Sequence, residues 1–163
     1  MERRLYAALA HPLVRFGVGF FVFVFLLVFL GFFVTALARL AGWPPDFWVL
    51  GYGPGRLAGY LGVLGEAGRR LYALFLMADF LFAPLYGLWL AGWLFYLYHR
   101  PAYARAPLLA ALMDLGENLL LALQLDRVDP VLAVVAGYLT FFKWAFLAYA
   151  LLAMLLGLFW QRR

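Results

Sequence analysis

Between Gly17 and Ala38 the chain reads GVGFFVFVFLLVFLGFFVTALA, without one charged position. A run longer than the ~20 residues that cross the hydrocarbon of a bilayer predicts a transmembrane helix over about 14–40. Further apolar stretches predict helices over about 71–98, 107–125 and 130–160. Punctuation agrees with those limits. Asp129-Pro130 pairs an N-cap with proline at the first helical position, and Pro101 and Pro107 bracket the connection between the second and third helices. Tyr96, Tyr98, Tyr103 and Trp160 suit the interfacial belts. One long connection remains, 41–70, opening GWPPDFWVLGYGPGR. Its Trp43, Phe47, Trp48 and Tyr52 suit a segment lying in the head-group layer. Glycines 59, 62, 65 and 68 would form a side-chain-free ridge if this segment were helical, and a flexible loop otherwise.

Composition turns these runs into a class. Of 163 residues, 68% are hydrophobic and 13% charged, against roughly 25% charged in soluble domains. With a mean hydropathy of +0.93, so short a chain must use lipid as the solvent for its outer faces. The expectation is an all-α, polytopic integral membrane protein: residues 1–163 form one membrane domain, a four-transmembrane-helix bundle with a long extracytoplasmic connection containing the interfacial segment. Arg3 and Arg4 before the first run, and Ala36-Leu37-Ala38 near its end, resemble a secretory signal. Signal cores are usually about 7–15 residues, so the first helix is expected to be retained.

Charge and the missing motifs narrow the chemistry. The net charge of +5 is scattered rather than striped, which favours anionic lipid head groups over nucleic acid as partners. Without cysteine there is no disulfide, thiolate nucleophile or sulfur-ligated metal. His11 and His99 lack metal-site spacing. No phosphate loop, G-x-S-x-G elbow or H-E-x-x-H helix occurs. No cofactor and no metal are expected, two carboxylates on one turn being weak grounds for Mg²⁺.

The polar residues inside the runs are the informative ones. Asp114, Glu117 and Asn118 project from one sector of the third helix. On the second, Tyr72, Asp79, Tyr86 and Trp93 recur every seven residues, with Pro84 available to kink the helix. Lys143, the only lysine, lies on the fourth beside Ala136, Thr140, Leu147 and Ala150. Counting from Pro107, Asp114 lies ~10 Å and Glu117 ~15 Å deep; from Pro130, Lys143 lies ~20 Å deep, nearly level with them. Each charge facing lipid at the helix centre costs roughly 2.5–3.5 kcal/mol, so the group is expected to face inward, with Lys143 paired to Asp114 or Glu117. Since one lysine cannot neutralise three acids, protonation, water, a metal ion or Arg69 would have to compensate.

The motifs LGEAGRRLY at 64–72, Asp79, P-x-Y-G from Pro84 to Gly87, D-x-x-E-N from Asp114 to Asn118, and Lys143-Trp144 resemble a family of small bacterial four-helix integral membrane proteins with no assigned activity. The likeness covers about residues 50–150 and implies a four-helix fold with this polar set. Sterol isomerases and sterol-binding membrane proteins are similar in size and buried acids alone, and no catalytic residue carries over.

The candidate site is therefore Asp79, Tyr86, Asp114, Glu117, Asn118 and Lys143, with Arg69 and Tyr72 as secondary members. The expected role is binding a lipid, a small amphiphile or a partner helix, including a second copy of the chain. The alternative is a lipid-modifying enzyme using an Asp or Glu as general acid or base. A bacterial inner membrane, or an equivalent plasma membrane, is the expected location. With four spans, seven arginines (3, 4, 15, 100, 105, 162 and 163) share a side with the termini, against five (39, 56, 69, 70 and 127) opposite. That bias predicts cytoplasmic termini. A reporter fused after Arg163 should be active in the form that works in the cytoplasm; activity only of a periplasmic reporter contradicts the orientation.

Overall fold

In a computed structural model, residues 2–160 are described, with side chains from residue 4 onward. Every regular element among them is helical. A short helix, α1 (Glu2–Leu9), precedes Pro12, which opens α2 (Pro12–Val28) from the first-turn position where its missing N–H costs nothing. A π-helical turn, Phe29–Val34, comes next, and α3 (Thr35–Ala41) continues the same rod. The Thr35 hydroxyl donates to the Leu30 carbonyl at 2.9 Å, five residues back, within that widened turn. Gly42, at φ 87°, ends the rod.

After an irregular stretch containing the 3₁₀ turn Pro45–Phe47, α4 (Pro54–Tyr98) runs 45 residues and is interrupted once. Gly65 has φ 63° and ψ −171°, a conformation costly for any residue with a Cβ, and there α4 kinks. His99, in the left-handed region, terminates α4. Next come α5 (Pro101–Ala122) and α6 (Pro130–Trp160). Asp129 caps α6 by accepting from the Val131 and Leu132 amides at 2.8 and 3.0 Å.

Among the described residues, three helices are long and apolar enough to cross a membrane: the rod Pro12–Ala41, α4 and α6. Arg105, Asp114 and Glu117 interrupt α5, and it is not among them. Instead α5 lies between α4 and α6, while the rod packs along α4. Alanines 104, 106, 110 and 111 let α5 approach closely, and Gly87 of α4 faces Ala111 and the Pro107 carbonyl. Aromatic rings join rod to α4: Phe25 stacks on Phe82 at 5.0 Å and Phe29 meets Phe75 at 4.6 Å. The outer surface is apolar, with Phe20, Phe21, Phe23, Val131 and Phe159 all exposed. That is the outside of a protein solvated by lipid.

Several expected limits move. The second helix starts at Pro54 rather than near 71, so only 42–53 is irregular in the expected 41–70 connection. The third begins at Pro101 rather than 107 and ends at Ala122 rather than 125, because Pro107 is accommodated inside α5 against Gly87. Pro84 leaves α4 helical, the break falling at Gly65. The glycine segment is helical on either side of that break, but Gly59, Gly62 and Gly65 face open space and pack against no other helix among the described residues. Nor does the stretch before α4 lie wholly apart at the surface: Trp43 is exposed, whereas Pro44, Pro45 and Asp46 are buried.

What seats that stretch is a contact between backbones. Gly51, at φ 77°, meets the carbonyl of Gly137 on α6, and a Cβ built on Gly137 would collide with the backbone of Tyr52. Gly137→Ala should therefore destabilise the protein by about 1–3 kcal/mol, as overpacking does. Gly17→Ala, which meets nothing within 4 Å, should be neutral or slightly stabilising. Thermal unfolding in detergent compares them; equal melting temperatures for Gly137→Ala and wild type would contradict the contact.

Candidate functional site

With α5 starting at Pro101, Asp114 lies ~20 Å along α5 and Lys143 ~20 Å along α6 from Pro130, each well inside its helix. The antiparallel helices bring them face to face. Lys143 Nζ stands 3.0 Å from Asp114 Oδ1 and 2.6 Å from Glu117 Oε2. Asp114, Glu117, Asn118 and Lys143 are all at most 4% exposed, and Asp79 is 6% exposed. Depth and burial of this kind make one-sided loss of a charge expensive.

Neutral donors complete the set. The Tyr86 hydroxyl donates to Asp114 Oδ2 at 2.9 Å, and Asn118 Nδ2 donates to Asp79 Oδ2 at 2.9 Å. Thr140, one turn before Lys143 on α6, donates its hydroxyl to Glu117 Oε1. Tyr52, from the irregular stretch, reaches the same oxygen at 3.4 Å. Burial, followed by the like charges of Glu117 and Asp46, pushes the Tyr52 phenol above its ordinary pKa, which keeps its proton available for donation.

A fourth acid joins these residues that helical periodicity could not place. Asp46 is buried, accepts from the Tyr72 hydroxyl at 3.1 Å through Oδ2, and its backbone carbonyl accepts from Trp144 Nε1 at 2.8 Å. Its Oδ1 has no hydrogen-bond partner among the described residues. Burial raises its carboxyl pKa; Lys143 opposes that shift and Asp114 adds to it. The one sequence signal was an acid set between two prolines and two aromatics in WPPDFW.

Tyr72 thus joins the network through Asp46, whereas Arg69 does not join it. Its guanidinium donates to the Gly65 carbonyl at 3.2 Å and the Leu125 carbonyl at 3.3 Å, tying the α4 kink to the end of α5. The compensation expected of Arg69 comes from hydroxyls and an amide instead. Trp93, the next member of the sevenfold series on α4, turns to Arg15, whose guanidinium lies 4.5 Å from its ring centroid.

Beside the network is a cavity of about 320 Å³. Asp46, Asp79, Asp114 and Lys143 lie on its polar side. Its remaining walls are apolar and aromatic: Leu26 and Phe29 from the rod, Phe82 from α4, Trp144, Leu147 and Leu151 from α6. Leu26, Leu30 and Leu151 line it and are also exposed, so it opens outward between the rod and α6. A larger depression, about 470 Å³ over Leu50, Gly51 and Tyr138, meets the network only at Tyr52. Its chemistry is thin by comparison.

One oxygen each from Asp46, Asp114 and Glu117 come within 4.8 Å of one another, a spacing a hard cation accepts. The Lys143 ammonium already bridges two of the three, so a metal there would have to displace it. Comparison of the chain with protein-family models, curated proteins and solved structures finds no match.

The pairing predicts a non-additive mutant cycle. Lys143→Met should cost ~3–5 kcal/mol by leaving buried carboxylates without their counter-charge. Asp114→Asn combined with Glu117→Gln should recover much of that loss in the Lys143→Met background. Thermal stability of the singles, the double and the triple in detergent measures it, and simple additivity would show that the ion pairs carry no coupling.

Proposed function

We propose that this protein is a four-span bundle of a bacterial inner or equivalent plasma membrane, with cytoplasmic termini, that binds an amphiphile from the bilayer. In this reading α5 crosses as the fourth helix, its polar sector shielded from lipid by α4 and α6, and the Gly42–Gly53 connection lies on the extracytoplasmic side. The observation carrying the proposal is the cavity in which acyl-sized apolar walls meet Asp46, Asp79, Asp114 and Lys143. Its volume is at the lower end of the ~300–1,000 Å³ of small-molecule sites, which pair apolar linings with a few polar groups. A purely structural network would have no use for a void that breaches the bundle between two spans. A lipid tail could enter through that breach without leaving hydrocarbon, the head group then reaching the network at mid-depth.

A second reading, a lipid-modifying enzyme, is favoured by one feature. Asp114 takes a hydrogen bond from Tyr86 and an ion pair from Lys143 while lining the cavity, an arrangement suited to moving a proton. The cavity lining includes no serine, threonine, cysteine or histidine beside it, so binding leads.

Native mass spectrometry from mild detergent should show a one-to-one amphiphile adduct. Leu147→Trp, which fills the cavity, should remove the adduct, and Leu152→Trp, on the exposed face of α6, should keep it. Absence of an adduct, or one indifferent to Leu147→Trp, would count against binding at this site.

A further inference from the structure

Four carboxyl groups, Asp46, Asp79, Asp114 and Glu117, are buried around a single ammonium, Lys143. That ammonium is spent on Asp114 and Glu117. Among the described residues, neither Asp46 nor Asp79 has a cationic partner: Asp46 accepts a tyrosine hydroxyl and Asp79 an asparagine amide. Both line the cavity, and Asp46 Oδ1, on a side chain 4% exposed, is unpartnered. Both acids left without a counter-charge are thus within reach of a ligand in the cavity.

Building on the amphiphile-binding reading, we propose that the ligand's head group is cationic, an alkylammonium whose charge rests between Asp46 and Asp79. An anionic head would add another negative charge to a buried site already rich in acid. A neutral head could donate a hydrogen bond to the Asp46 oxygen but would leave both carboxyls without a counter-charge. A cation supplies what the protein's own residues lack there. The aromatic walls agree with this choice, because Phe47, Tyr86 and Trp144 line the cavity together with Asp46 and Asp79. Aromatic rings attract ammonium groups, and the more strongly when water is excluded. Lys143 already pairs with Asp114 and Glu117, leaving Asp79 and the neighbouring Asp46 to the incoming charge. The tail then lies along Leu26, Leu147 and Leu151 toward the opening.

The test holds the tail constant and varies the head. Dodecyltrimethylammonium, dodecanol and dodecanoate are titrated below their micellar concentrations into the full chain in nanodiscs. Trp89 and Trp144 fluorescence reports occupancy, since both line the cavity. The ammonium should bind about tenfold tighter than the alcohol, and the carboxylate weakest. Asp79→Asn should erase the preference by weakening dodecyltrimethylammonium binding about tenfold more than dodecanol binding, with circular dichroism reporting the fold; Asp46→Asn serves if the first variant misfolds. Equal binding of all three heads, blocked by Leu147→Trp, overturns the cationic head and leaves the amphiphile site standing. A preference that survives both Asp variants overturns the placement. If none of the three binds, the amphiphile reading falls together with this inference.

Discussion

Taking charges out of water governs how this bundle is assembled. A carboxylate or ammonium at membrane depth loses more hydration than one contact returns, so each must find partners on neighbouring helices before its own helix is tolerable in lipid. α5 carries Asp114, Glu117 and Asn118 on one sector and could not face acyl chains on all sides. Hence its place between α4 and α6, since α4 brings Tyr86 and Asp79 while α6 brings Lys143 and Thr140. The alanines of α5 and Gly87 of α4 let those short polar side chains reach one another. Close backbone approach and polar pairing here are one requirement met twice.

The same network leaves one side unfinished. Toward α5 and α6 it is mutually bonded, with Glu117 fully buried among Lys143, Thr140 and Tyr52. Toward the rod it borders a void, because the rod packs on α4 through stacked phenylalanines and leaves a breach before α6. Polar closure on one face and an aromatic opening on the other give the cluster a direction. It has a sealed back and an accessible front.

How much of this could be read from the chain depends on whether the signal was periodic. The first rod and α6 are legible as apolar runs, and Asp114, Glu117 and Asn118 share a sector because helical geometry puts i, i+3 and i+4 together. Tyr72, Asp79 and Tyr86 come to the network through sevenfold spacing, but Trp93, the next in that series, is drawn off to Arg15. Prolines misled. Pro107 reads as a helix start, yet packing against Gly87 holds it inside α5, so Asp114 sits about twice as deep as a count from Pro107 implies. Asp46 had no period to reveal it: it arrives from an irregular stretch whose position is set by Gly51 meeting Gly137, a long-range contact invisible in local pattern. Arg69 shows the opposite limit, since its charge suggested a counter-ion while its geometry made it a clasp for two helix ends.

The π-helical turn has a consequence for the phase of the rod. Val22 and Phe29 are buried, and a regular α-helix would carry that face on through positions 33 and 36. The buried residues after the turn are instead Val34 and Leu37, one place later in each case. The turn thus behaves as a one-residue insertion absorbed without rotating α3, as π-bulges do. Shortening the rod by one residue within Phe29–Val34 would convert the bulge to α-helix and leave Leu37 facing α4. The same deletion near Val24 would swing everything from there to the bulge by ~100° and carry Phe29 off the ring contact it makes with Phe75. Length is negotiable in one turn of this helix and rigid in the others, and the tolerant turn is the one beside the cavity.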